Sequence, residues 1–165
     1  MKIILILLLV VLCGFVGFGI SLGYMQRKKF FYAYQIFLQG LKTDISFSAK
    51  KLFTIIEEAK KNYSNKDFIQ LLDNYIQSIN EENELTKQEL FKNVKILTEQ
   101  EKDDLYIFFK GLGKTDIFNQ VDTIKNKIET TKITYEKVKK ECEKYCPLYT
   151  KLGILAGLFL ALLLI

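Results

Sequence analysis

The segment Phe108–Tyr149 reads FFKGLGKTDIFNQVDTIKNKIETTKITYEKVKKECEKYCPLY. It opens on a turn, Gly111-Leu112-Gly113-Lys114-Thr115-Asp116, and continues as a long helical pattern. Ile117, Val121, Ile124, Ile128, Thr131, Tyr135, Val138, Cys142, Tyr145 and Tyr149 recur at alternating steps of four and three. Such a repeat is an a/d seam, apolar here except at Thr131, with Lys and Glu on the remaining faces. A helix from Ile117 to Cys146 would be about 45 Å long at 1.5 Å per residue. The seam leads directly into an apolar C-terminus. The longest helix of the soluble part is therefore expected to run into a membrane segment.

The two ends of the chain support this. Ile3–Tyr24 is a run of 22 almost wholly apolar residues, enough to span a bilayer. A cleaved signal peptide is the competing reading, because Lys2 precedes the apolar core. The core is too long for an ordinary signal, and no small-x-small site clearly ends it. Arg27, Lys28 and Lys29 follow at the expected membrane edge. At the other end Leu152–Ile165 supplies 14 apolar residues, and Leu148–Lys151 extends them toward a full span, with Lys151 snorkelling to the surface. Gly19-x-x-x-Gly23 and Gly153-x-x-x-Gly157 have the spacing that lets two membrane helices pack closely. Pro147 is expected to kink or break the helix where it enters the membrane.

Between these ends the period stays helical. Phe30, Tyr34, Phe37, Leu38, Leu41 and Ile45 continue the first span with little or no break. Ser46–Ala49 reads as a turn or irregularity. Leu52, Ile55, Ile56, Ala59 and Tyr63 form a second stripe; Phe68, Leu71, Leu72, Tyr75, Ile76 and Ile79 form a third. Ser64 and Asp67 stand at capping-box spacing, as do Thr86 with Glu89 and Thr98 with Glu101. No stretch shows sustained strand alternation. The expected fold is all-α: a bundle of about six helices over 27–147, flanked by transmembrane helices at 1–26 and 148–165.

Composition narrows the chemistry. The 165 residues include no His, no Trp, one Pro and a net charge of +5. Without His the usual proton-transfer group near neutral pH is missing. All basic residues except Lys2, and all 19 acidic ones, lie between Arg27 and Lys151, interleaved as on a solvated helical surface. This is not the pattern of a nucleic-acid patch. Three cysteines make no disulfide framework; Cys142 and Cys146, four apart on one helix, read as packing residues of a reducing compartment. Gly113-Lys114-Thr115 looks like the end of a phosphate loop. Phe108, however, stands where the motif needs Gly, and the preceding pattern is helical, not a strand. The structural reading is that Gly111 or Gly113 ends one helix in the left-handed region, and that Thr115 or Asp116 caps the next. No acid/base pair at fixed spacing can be named. No enzyme activity, cofactor, metal, nucleic acid or small-molecule substrate is expected.

Several of these residues together resemble the stage III sporulation protein AB family of endospore-forming bacteria. The likeness covers nearly the whole chain: the N-terminal span with its basic edge, Leu38-x-x-Leu41-x-x-Asp44-Ile45-x-Phe47, Phe109-x-x-Leu112-Gly113-x-Thr115-Asp116-x-x-x-Gln120, and Leu152-Gly153 with the apolar tail. The family usually has Ser at the position of Thr115, Tyr at that of Phe47 and a Pro near Lys51. The resemblance implies a scaffold in the channel complex that joins mother cell and forespore, beside a secretion-type ATPase, stage III sporulation protein AA. It also implies a helical domain similar to those of the inner-membrane platform protein of type II secretion and type IV pilus machines. The expected place is the mother-cell membrane facing the forespore. The basic edges Arg27–Lys29 and Lys139–Lys151 put the bundle on the cytosolic side. Self-association is a further possibility. Lys114, Asp116 and Gln120 are candidates for an exposed contact with the ATPase or a sister component. An adaptor or receptor unrelated to sporulation is the alternative.

Overall fold

The computed structural model describes residues 2–47, 51–80, 84–114 and 116–164. All regular structure among them is helical, in six helices: α1 Lys2–Phe47, α2 Leu52–Lys60, α3 Lys66–Asn80, α4 Lys87–Leu90, α5 Glu99–Gly111 and α6 Ile117–Leu164. The all-α expectation holds, and α1 and α6 each carry an apolar end. By packing the chain falls into two compact units, Lys29–Tyr135 and Met1–Lys28 with Glu136–Ile165. Residues 136–147, expected with the bundle, thus pack with the second of these, the anchor unit.

The bundle unit is built on aromatic rings. The α1 stripe buries Phe30, Tyr34, Phe37, Leu38 and Leu41. Phe68 of α3 sits among them with no exposed surface, edge-on to Phe30 at 5.4 Å, Phe37 at 5.7 Å and Tyr63 at 5.1 Å. Phe109 of α5 stacks on Phe37 and meets Tyr75 at 4.9 Å. Edge-to-face and offset rings add to the gain from burying apolar area.

Helix starts follow the chemistry of caps. Thr86 and Thr98 form two of the three expected boxes, each hydroxyl accepting from the N3 amide while the N3 Glu accepts from the cap amide. The start of α3 differs from expectation. Asn65, not Ser64, is the cap, its Oδ1 accepting from the Phe68 amide at 2.9 Å. A shift of one residue lets the carboxamide, itself buried, reach the orphan amide. Ser46 also differs: it lies inside α1, its hydroxyl donating to the Lys42 carbonyl. Residues 48 and 49 of the expected irregularity are outside the described ones. Asn74 has no special mark in the sequence beyond being a polar position beside the stripe. In the fold it donates to the carbonyls of Leu90 and Lys92, tying α3 to the turn after α4, where Asn93 has φ 65°.

In the anchor unit the first half of α1 packs against the second half of α6. α6 runs through Pro147 without a break in the helix. Proline costs a helix one hydrogen bond and a clash. Here the flanking turns are held independently, by Tyr24 stacked on Tyr149 at 5.8 Å and by Arg27 paired to Glu141 at 2.8 Å. The outward surface is apolar: Phe15 is 68% and Leu162 73% exposed. These two helices are long and apolar enough to cross a membrane, and such a surface is at ease in lipid, not water.

Candidate functional site

The turn between α5 and α6 is the most specific local structure in the sequence, and it is built from backbone requirements. Gly111 is the last residue of α5, and nothing lies within 4 Å of where its Cβ would be. Leu112 is buried, and its carbonyl accepts from the Tyr75 hydroxyl at 3.5 Å. Gly113 is the residue in the left-handed region, at φ 82°; an added Cβ would also press Leu52 Cδ2 at 3.1 Å. Lys114 is exposed, and its amide donates to the Gly111 carbonyl. Thr115 lies outside the described residues. No strand precedes this turn: the chain enters it from α5, so Gly113-Lys114 lacks the setting of a phosphate loop.

Asp116 precedes the first residue of α6 and caps it. Its Oδ1 accepts from the Asn119 amide at 3.1 Å, and its carbonyl accepts from the Gln120 amide at 2.9 Å. Hydrogen bonds from the Asn119 backbone and carboxamide hold the Asp116 carboxyl below the usual carboxylate range.

Gln120 departs from expectation. It is not an exposed contact beside Lys114 and Asp116: it is 8% exposed, and its Nε2 has no hydrogen-bond partner. The physical reason is the hairpin itself. α5 turns back along α6, and Gln120 forms part of the lining of the groove between them, about 370 Å³ in volume. Among the lining residues Lys127 is clamped to the exposed Asp104, Nζ lying 2.6 Å from Oδ1 and 3.0 Å from the Asp104 carbonyl. These two charges are therefore paired with each other.

The membrane packing residues also redistribute. Gly19 and Gly23 have nothing within 4 Å of where a Cβ would stand, so they are not a packing face. Gly17 takes that place. Its Cβ would run into the Tyr149 carbonyl and approach Gly153 Cα at 3.2 Å. A Cβ on Gly153 would meet the Cys13 carbonyl at 2.6 Å, and one on Gly157 would meet Val10 Cα at 2.9 Å. Only glycine allows backbones this close. At the edge, Arg27 is paired to Glu141, Lys28 is half-buried, and Lys29 and Lys151 are exposed. Cys142 and Cys146 bring their sulfurs to 3.2 Å, and burial pushes the Cys142 thiol up. Among the described residues no group of three His, Cys, Asp or Glu is placed to hold a metal.

Sequence reasoning missed Gly17, Asn65, Asn74 and the Lys127–Asp104 clamp. The signal for Asn65 was present, since Asn ranks with Ser as a cap. The others depend on which element packs opposite. No curated protein and no solved structure matches the chain. Residues 2–165 match the family described as stage III sporulation protein AB, and a match over that length, with two apolar terminal helices around an all-α bundle, means that the protein belongs to the stage III sporulation protein AB family.

Proposed function

We propose that the protein is a non-catalytic membrane scaffold of the secretion-like channel complex between mother cell and forespore. One observation carries the reading: the two helices with apolar ends, α1 and α6, also supply core residues of the bundle, Phe30 to Leu41 and Ile124. Anchors and soluble domain share their main elements, which suits a part that transmits position more than one that turns over a substrate. Family membership supplies the sporulation context.

The bundle lies on the cytosolic side, supported by Arg27, Lys28, Lys139, Lys140, Lys144 and Lys151 beside the apolar segments. There it meets the secretion-type ATPase of the complex, stage III sporulation protein AA. The test is affinity isolation of the full chain from membranes of sporulating cells. Co-purification of the ATPase is expected, and its loss with intact chain in the membrane would overturn the partnership. Side is read separately by impermeant maleimide. Cys142 is buried, so the reporter is Glu129→Cys in a chain whose native cysteines are replaced. Labelling is expected only after lysis.

A further inference from the structure

Contacts within the anchor unit define the register of its two antiparallel helices. Arg27 pairs with Glu141, Cys146 Sγ donates to the Ser21 carbonyl, Gly14 faces Ile154 and Gly157 faces Val10. Gly17 lies against the Tyr149 carbonyl and Gly153 Cα, which sets it level with Lys151. Tyr24 gathers with Tyr145 and Tyr149 further along. Rings of this kind collect at the lipid–water boundary. α1 has no charged side chain from Ile3 to Gln26, and α6 has one from Tyr145 to Ile165, Lys151. That stretch of α6 is 21 residues, a full span where the 14 from Leu152 fall short. α6 therefore enters the membrane at Tyr145. Lys151, level with Gly17 and so seven residues or about 10 Å inside Tyr24, stands within the span.

Lys151 also points away from α1. It sits about 160° round α6 from Gly153, the residue packed on that helix. Lys144, Leu148, Lys151, Leu155, Leu158 and Leu162 fall within about 80° of one another on this outer face. All six are exposed. A cation inside a membrane is costly until it reaches a counter-charge, and neither α1 from Ile3 to Gln26 nor α6 beyond Glu143 contains an acid. The stem of Lys151 tilts toward the start of α6, carrying its amine outward to headgroup depth. We infer that this face of α6 binds an acidic phospholipid: the phosphate meets Lys151, with Lys144 two turns nearer to water, and an acyl chain lies along Leu155, Leu158 and Leu162.

A lipid is the occupant because the strip passes from cation to apolar surface in the order in which a phospholipid passes from phosphate to chain. The headgroup is acidic because the anchor unit sets eight basic residues against three acidic ones, and such an excess beside a membrane attracts anionic lipid. A zwitterionic lipid offers the same chain, but its own ammonium competes for the phosphate. Only the crossing of the membrane by α1 and α6 is needed here, not the channel, the ATPase or the side on which the bundle lies.

The test places the full chain in phosphatidylcholine vesicles containing a minority of phosphatidylglycerol, releases it into detergent, and reads the lipids it keeps by native mass spectrometry. Wild type is expected to retain phosphatidylglycerol over phosphatidylcholine by at least tenfold. Lys151→Gln should abolish that preference and Lys151→Arg should keep it. Lys137→Gln, exposed but outside the span, should leave it unchanged. Should Lys151→Gln disturb the fold by circular dichroism, Lys151→Met replaces it. No preference in wild type would overturn the inference. A preference indifferent to Lys151→Gln would do the same, and would assign lipid binding to the general charge of the membrane edge. So would a membrane protein from the native cells that Lys151→Gln releases while lipid stays, since the counter-charge is then a partner's carboxylate. Alkaline carbonate extraction separates the underlying readings: a chain washed out of the vesicles refutes the membrane span itself, whereas a chain that stays without lipid preference refutes only the site.

Discussion

The bundle unit and the anchor unit solve the packing problem in opposite ways. The bundle buries large side chains: Phe30, Tyr34, Phe37, Phe68 and Phe109 are essentially inaccessible. The anchor buries almost none, and brings two backbones together at Gly17, Gly153 and Gly157. Water explains the first, because apolar area removed from it is the main driving force. In lipid that force is gone, and close van der Waals contact between smooth helix faces replaces it. Charge divides the same way. The anchor unit holds eight basic residues, Lys2, Arg27, Lys28, Lys137, Lys139, Lys140, Lys144 and Lys151, against Glu136, Glu141 and Glu143. The whole net charge of +5 therefore belongs to it, and the bundle is neutral.

The largest effect should come from emptying the bundle core. Phe68→Ala removes a ring that touches Phe30, Phe37 and Tyr63. A buried Phe→Ala costs about 3–5 kcal/mol, a large part of the roughly 5–15 kcal/mol that holds a domain. Chemical denaturation of the full chain in detergent should show the bundle transition moved to much lower denaturant. An unchanged midpoint would mean that the aromatic cluster is not what holds the unit.

The matching break in the anchor is Gly153→Leu, which drives a side chain into the Cys13 carbonyl. Overpacking of this sort costs about 1–3 kcal/mol. Gly19→Leu is the control, since nothing lies near it. Protease sensitivity of the membrane fragment should rise for the first and not for the second. If both behave alike, the two helices do not pack through this face.

These contrasts also show what was legible in the sequence. Helix existence and most core faces came from period alone: Phe30, Tyr34, Phe37, Leu38 and Leu41 are one stripe, and they are buried. The Thr86 and Thr98 boxes were visible because a cap is a local event. The membrane glycines were not. Gly14, Gly17, Gly19 and Gly23 all lie in one apolar run, and only the rotation imposed by α6 selects Gly17. Gln120 likewise reads as polar and exposed until α5 folds back over it. The seam marked Ile117 as apolar core, yet it is 60% exposed because the hairpin leaves the first turn of α6 uncovered.

Smaller effects sharpen the local picture. Gly113→Val must hold a β-branched residue at φ 82°, at a cost of about 1–3 kcal/mol. The bundle should melt several degrees lower, and a melt like wild type would remove the conformational argument for this glycine. Asn65→Ala should cost about 1 kcal/mol as a lost cap. Ser64→Ala should be close to neutral. The reverse ranking in thermal melts would restore the Ser64 box.

The smallest effect concerns the charge at the start of α6. Asp116 is exposed and its carboxyl is lowered, chiefly by hydrogen bonds from Asn119. A carboxylate whose pKa is depressed by folding stabilises the folded state above the ordinary Asp range. That contribution is lost as pH falls through its lowered value. Asp116→Asn isolates the charge, because Asn caps a helix about as well as Asp and lacks only the favourable interaction with the helix N-terminus. At pH 7 wild type should melt slightly above the variant. The gap should close as pH drops below about 4, where free Asp titrates. All other carboxylates are common to both chains and cancel in the difference. A gap that is absent at pH 7, or that widens in acid, would show that Asp116 caps α6 through geometry alone, and that its charge adds nothing to the turn.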